Sequence, residues 1–210
     1  MNEILKIPGG RARDLRPLTP SPKRPAVFLD RDGTINEEMG YINHLSRFRL
    51  LPDAAPAIRR LNEAGLPVVV VTNQSGAARG YFPAALVDEV HHRLQELLAQ
   101  EGARVDAIYT CLHGPDAGCP CRKPRPGLLL QAAQDLNLNI GRSYLVGDRY
   151  KDVETAANAG AKGILVLTGY GLGEYEHFHE SAPAPARPVH VAANLSEVAE
   201  YIIQQEQKPG

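Results

Sequence analysis

No stretch of the chain approaches the ~20 consecutive apolar residues that a membrane-spanning helix requires. The opening MNEILKIPGGRAR also lacks the apolar core of a secretory signal, so a cytoplasmic location is expected. Charge of one sign is not in excess: 23 Lys and Arg stand against 24 Asp and Glu. No long-range field is available to gather nucleic acid or an anionic lipid surface, so any phosphate must be met by groups placed locally. Cysteine is scarce, and three residues are too few for a disulfide framework. What is present suffices for a core. With 43% hydrophobic and 22% charged residues over 210 positions, wholesale disorder and a coiled coil are excluded, and one soluble domain is the simplest organisation.

Strand and helix patterns alternate along the chain. Ala26 to Leu29 is an apolar run that follows a Pro-rich lead-in and stops at Asp30, as a buried strand does when it empties into a loop. Asp53 to Ala64 has helical spacing of Ile58 and Leu61, and Pro67 then introduces the β-branched run Val68 to Val71. Pro83 to Gln100 reads as a helix with Leu86, Val90, Leu94 and Leu97 on one face, which leaves His91 and His92 as surface residues. Val105 to Thr110, Tyr144 to Val146 and Ile164 to Leu167 read as strands, separated by helices over Gly127 to Leu136 and Val153 to Ala159. Glu174 to Pro188 reads as a polar, proline-rich linker to a short strand at Val189 to Val191 and a closing helix from Leu195 to Gln205. Continuously apolar strands alternating with helices predict an α/β fold, a Rossmann-like doubly wound parallel sheet with helices on both faces. Residues 1–25 are expected to form an N-terminal arm packed on a single domain over 26–210. The glycine-rich GGRARDLRPLTP within that arm resembles a nucleotide-sugar phosphate loop, but nothing else of such a domain follows it.

In such sheets ligands bind beyond the carboxyl ends of the strands. Three strand ends here carry the same kind of chemistry: Asp30-Arg31-Asp32-Gly33-Thr34, Thr72-Asn73-Gln74-Ser75-Gly76, and Gly147-Asp148-Arg149-Tyr150-Lys151-Asp152. A single Asp at a strand end is an ordinary helix cap or turn former. Three polar loops in this order are hard to explain as caps. Two carboxylates two residues apart, joined by a third, can hold a divalent cation such as Mg²⁺, and a hydroxyl and an amide opposite them can hold phosphate oxygens.

FLDRDGTIN, VTNQSG, CRKPRPG and VGDRYKD together resemble the four motifs of the haloacid dehalogenase superfamily of phosphotransferases, over about residues 26–170. DRDGTIN with TNQSG and a Cys/His cluster before RKP is similar to its branch of heptose bisphosphate and histidinol-phosphate phosphatases. The resemblance implies a Rossmann-like core without a large cap domain. It makes Asp30 the nucleophile that becomes an aspartyl phosphate, and Asp32 the acid for the leaving alkoxide and base for the attacking water. Thr72 and Asn73 would hold phosphate oxygens, with Lys123 balancing charge on the transferring group. Asp148 would complete a Mg²⁺ site with Asp30 and the backbone carbonyl of Asp32, and Asp152 would stand behind it or serve as a plain first-turn helix acid. The implied substrate is a small phosphorylated metabolite, foremost a heptose bisphosphate losing its C7 phosphate, with histidinol phosphate as the alternative and a monomer as the expected state. A reading from another class, a phosphate binder that kept the fold and lost turnover, has no need of both Asp30 and Asp32.

Cys111-Leu112-His113, five residues, then Cys119-Pro120-Cys121 supply four ligands of the kinds zinc prefers, leaving no open position for catalysis. A disulfide and free buried thiols are the rivals. A structural zinc in this 111–121 loop would set the approach of Arg122 and Lys123, which follow directly. Substrate contacts are expected from Arg122 and Ser75, and Asn43 and His44, with Arg47 and Arg49, either reach the substrate from the Tyr41 to Arg49 loop or face water.

Overall fold

A computed structural model describes residues 4–5, 22–183 and 186–207. Its sheet has seven strands: β1 (Ile4–Leu5), β2 (Val27–Leu29), β3 (Val68–Asn73), β4 (Ala107–Cys111), β5 (Tyr144–Gly147), β6 (Lys162–Val166) and β7 (His190–Ala192). They lie in the order β1-β4-β3-β2-β5-β6-β7. β2 pairs with β3 and β5, and all pairs from β4 to β7 are parallel. The edge differs from the all-parallel expectation, because β1 pairs antiparallel with β4, Ile4 opposite Tyr109. The GGRARDLRPLTP segment lies outside the described residues.

Among the described residues six α-helices cover the sheet: α1 (Ala54–Glu63), α2 (Ala85–Gln100), α3 (Gly127–Asp135), α4 (Tyr150–Ala159), α5 (Gly171–Phe178) and α6 (Leu195–Gln207). Successive strand residues point to opposite faces, so an apolar strand demands cover on both. Val27, Leu29, Val68 and Val70 pack with α1, α2 and α6 through Ile58, Leu94 and Ile202. Phe28, Val69 and Val71 face the other way, toward Leu128, Leu129 and Ala132 of α3 and Ala156 of α4. The doubly wound arrangement follows directly. Between β2 and α1 the chain forms loops and one 3₁₀ turn, Leu45–Arg47, and inserts no cap domain. No helix among the described residues is long and apolar enough to cross a membrane.

Three elements depart from the sequence reading. α4 begins at Tyr150 rather than Val153, because the Asp152 carboxylate accepts from the Arg149 N–H at 3.3 Å and starts the helix directly after Asp148. The supposed linker holds the end of α5, and Ala182 and Ala186 beyond it are buried. Gly171 disguised that helix: a Cβ there would run into the Val166 carbonyl, so close packing demands the residue that weakens the helical signal. In α2 the buried residues are Leu86, Val87, Val90, His91, Leu94 and Leu98, so Leu86, Val90 and Leu94 face the core as expected, and His91 joins them at 2% exposure while His92 stays at the surface.

Candidate active site

The chain runs from β2 to β3 and β4 on one side, then crosses to β5, β6 and β7 on the other, so β2 and β5 flank the switch point where such folds bind ligands. The loops that leave β2, β3 and β5 meet there around a cavity of about 330 Å³. Asp30, Asp32, Thr72, Asn73, Ser75, Arg122, Lys123, Asp148 and Asp152 all line it. The site residues read from four separated motifs are thus brought together, with the exceptions given below.

Carboxylate oxygens of Asp30, Asp148 and Asp152 lie within 4.8 Å of one another. Lys123 Nζ stands between two of them, 2.8 Å from Asp30 Oδ2 and 2.6 Å from Asp152 Oδ1. Burial pushes Asp30 up to about 6 against the pull of Lys123. Burial, reinforced by Asp30, pushes Asp148 up to about 8. For Lys123 burial acts downward, but Asp152 and Asp30 overcome it and hold the ammonium above the usual lysine range. Among the described residues, Arg31 and Lys123 are the buried cations that stand against Asp30, Asp32, Asp148 and Asp152 at the centre of the site. That shortfall of positive charge, surrounded by hard oxygen donors, fits a divalent cation of the Mg²⁺ kind. Gly33 (φ 76°) and Gly169 (φ 56°) flank Asp148, and a Cβ on either would collide with its carboxylate.

Asp32 is held by more partners than its motif discloses. Arg31 donates to it from Nε and Nη2, at 3.2 and 2.9 Å to Oδ1 and 2.9 Å to Oδ2. Asn36 Nδ2 and Gln74 Nε2 add bonds of 2.9 and 2.8 Å. Burial raises Asp32, but Arg31 with these amides more than offsets it and holds the carboxyl below its ordinary value. Gln74 also donates to Thr72 Oγ1 at 2.9 Å, which leaves the hydroxyl proton of Thr72 free to donate. Asn73 lines the cavity and also engages the backbone of the neighbouring loop: its Oδ1 accepts from Lys123 N–H at 3.2 Å and its Nδ2 donates to the Lys123 carbonyl at 3.3 Å. Its amide fixes the Lys123 loop. Sequence reasoning missed Arg31 and Gln74, each one residue from a residue it selected, and their role is visible only in three dimensions.

The substrate loop divides differently from the expectation. Glu38, Gly40 and Tyr41 line the cavity, whereas Asn43 and His44 do not reach it. Asn43 accepts from Arg47 at 3.0 Å, and His44 Nδ1 caps the 3₁₀ turn through Ser46. That turn carries residues 43–49 away from the site because Leu45 and Phe48 pack on the core. Arg149 and Lys151 instead join Arg122 at the mouth, with the Arg149 guanidinium 3.8 Å above the Tyr170 ring.

Below the mouth, Cys111, His113, Cys119 and Cys121 form a second cluster, and the cysteines are not joined by a disulfide. Their sulfurs lie 3.3 to 3.7 Å apart, and His113 Nδ1 is 3.2 Å from Cys121 Sγ and 3.6 Å from Cys111 Sγ. A tetrahedron with metal–sulfur bonds of about 2.3 Å has edges of roughly 3.8 Å, slightly less where nitrogen replaces sulfur. The donor set fits zinc in kind, number and spacing. Burial, with Cys111 and Cys119 alongside, pushes the Cys121 thiol up to about 12, the penalty that a cation would remove. Arg122 Nη1 donates to the His113 carbonyl at 3.3 Å, so the cluster braces the next residue of the active site.

The family model described as HAD-hyrolase-like matches residues 120–198. The D-glycero-D-manno-heptose-1,7-bisphosphate 7-phosphatase of Thermosynechococcus vestitus is 44% identical over 194 residues, 85% of this chain and 95% of that one. The D-glycero-beta-D-manno-heptose-1,7-bisphosphate 7-phosphatase of Pseudomonas aeruginosa is 43% identical over 150 residues, covering 71% of this chain and 84% of its own. A crystal structure of the D,D-heptose 1,7-bisphosphate phosphatase of B. bronchiseptica, complexed with magnesium and phosphate, matches with a TM-score of 0.79 at 38% identity, over 86% of this chain and 99% of that one. On its motifs, its fold and these relatives, the chain belongs to the heptose bisphosphate phosphatase family of haloacid-dehalogenase-like phosphatases.

Proposed function

We propose that the chain, acting through one phosphatase unit over residues 26–210, removes the C7 phosphate of a D-glycero-D-manno-heptose 1,7-bisphosphate by way of an aspartyl phosphate on Asp30. The observation that carries this reading is the placement of Asp30 against Lys123 beneath the open cavity, with Asp32 beside it. An Asp30 oxygen attacks phosphorus and the bond to the sugar oxygen breaks. Asp32 gives the departing alkoxide its proton. A water that returns a proton to Asp32 then attacks the same phosphorus, frees inorganic phosphate and restores the Asp30 carboxylate. The ionised Asp32 suits the second step, and the negative charge of a bound phosphoryl group favours the protonation needed for the first. Lys123 and the Thr72 hydroxyl stabilise the charge that moves onto the phosphoryl oxygens. Asp30, the Asp32 carbonyl and Asp148 would hold Mg²⁺, which supplies electrophilic charge to the phosphoryl group.

Specificity in a site without a cap falls to the rim. Arg122, Arg149 and Lys151 are cationic and match a second phosphate, since guanidinium forks engage phosphate oxygens bidentately. The amine and imidazole of histidinol phosphate would be repelled. Across both heptose bisphosphate anomers, histidinol phosphate, fructose 1,6-bisphosphate and p-nitrophenyl phosphate, kcat/KM is expected to be highest for a heptose bisphosphate by at least ~100-fold. Arg122→Ala should erode that preference more than it slows the aryl ester, which has no distal phosphate. Highest efficiency on histidinol phosphate, or equal loss on both esters, would overturn the substrate.

Zinc in the Cys111-His113-Cys119-Cys121 cluster is the companion proposal. Protein purified without chelator should carry about one zinc per chain. Cys111→Ser should lose it and melt roughly 10 °C lower, because a structural site contributes folding free energy. Zinc-free protein of unchanged stability would leave these thiols as ordinary core groups.

A further inference from the structure

His91 is 60 residues from Arg31 in sequence and belongs to a different element, yet its Nε2 lies 3.3 Å from Arg31 Nη1 with both side chains buried. Arg31 is 1% exposed, and its Nε and Nη2 are spent on Asp32. A guanidinium only donates, so the contact fixes the imidazole tautomer: Nε2 carries the lone pair and the ring is neutral. Burial and the Arg31 charge agree with this, pushing His91 down to about 3. The series is therefore directional, with His91 accepting from Arg31 and Arg31 donating to Asp32. Without an acceptor at Nη1 a buried guanidinium would be left with an unmet donor and freedom to swing, and the carboxylate it grips would move with it.

We propose that His91 is a positioning residue for proton transfer: it locks the Arg31 guanidinium that holds the Asp32 carboxylate in its working orientation. The proposal rests on the reading of Asp32 as acid and base. It implies a dependence on the leaving group, because a sugar alkoxide needs the proton and p-nitrophenolate does not. Since kcat/KM reports the steps through phosphoryl transfer to Asp30, slow hydrolysis of the intermediate does not enter the comparison.

The test measures kcat and KM of His91→Leu and His91→Gln on heptose 1,7-bisphosphate and on p-nitrophenyl phosphate, with thermal melts alongside. His91→Leu is expected to lose about 10- to 100-fold in kcat/KM on the sugar ester, nearly all in kcat, and less than ~3-fold on the aryl ester. His91→Gln, whose amide oxygen can accept in place of Nε2, should recover the sugar activity to within ~3-fold. Should the leucine variant fail to fold, His91→Asn, polar but too short to reach Arg31, takes its place. Equal loss on both esters, no loss on either, or a glutamine variant no better than leucine overturns the proposal. Asp32→Asn separates the two levels. If it also slows both esters equally, the acid reading falls and the proposal with it; if it is selective for the sugar ester and the His91 variants are not, the proposal alone falls.

Discussion

Asp30→Asn is expected to lower turnover by at least ~10⁴-fold while leaving the fold intact, because an amide can neither attack phosphorus nor carry the phosphoryl group. The replacement is isosteric. Its carbonyl oxygen can still accept from the Arg31 N–H, now 2.7 Å from Asp30 Oδ1, or from Lys123. Lys123 keeps Asp152 at 2.6 Å, and one of three crowded carboxylates is neutralised. Burial already penalises the charged form of Asp30, raised to about 6, so the variant should melt no lower than the parent above that pH. Acid-quenched parent enzyme under turnover should yield a phosphorylated peptide containing Asp30, and the variant none. This second measurement is needed because Asp30 is also a proposed Mg²⁺ ligand, and loss of rate alone would not tell attack from metal binding. A variant retaining a tenth of parental turnover, or a phosphate trapped on another residue, would remove Asp30 from the role.

Much of this arrangement was legible in the sequence because the relevant physics is local. A strand buried on both faces must be apolar throughout, and β2, β3, β5 and β6 advertise themselves that way. Each of β2, β3 and β5 turns polar at or just past its carboxyl end, which places Asp30, Thr72 and Asp148 on one sheet edge without further information. The Cys/His cluster was equally plain, since its four members fall within eleven positions. What escaped depends on contacts between distant elements. Arg31 faces inward from a motif in which its neighbours are the proposed nucleophile and acid, and its partner His91 lies on α2. A signal for His91 did exist: Val87, His91, Leu94 and Leu98 share the four- and three-residue spacing of a buried helical stripe, and the competing choice of Leu97 concealed it. Asn43 and His44 illustrate the opposite case: they are held within their own loop and do not line the cavity. A polar loop near a site looks like substrate contact until Leu45 and Phe48 are seen turning it back to the core.

Lys123 offers the sharpest separation of structure from catalysis, because one ammonium is proposed to serve both. Lys123→Met removes the only cation in contact with Asp30 Oδ2 and Asp152 Oδ1 among the described residues, leaving buried carboxylates uncompensated. Breaking a buried pair from one side typically costs about 3–5 kcal/mol, so chemical denaturation should show a loss of that size. Turnover should fall by about 10³-fold, since the charge that balances the transferring phosphoryl group goes with it. Removing both partners should split these effects. In Lys123→Met with Asp152→Asn one of the two anions that Lys123 contacts is neutralised and Asp30 remains, so part of the lost stability should return. Turnover should not return, because the ammonium proposed to balance the transferring phosphoryl group is gone. The Asn73 amide, which grips the Lys123 backbone at 3.2 and 3.3 Å, keeps the loop in place in either variant, so loss of rate would report loss of charge rather than of position. A double variant that regained parental turnover along with its stability would mean that Lys123 acts only by neutralising Asp152, and the phosphoryl group would have to find its counter-charge elsewhere.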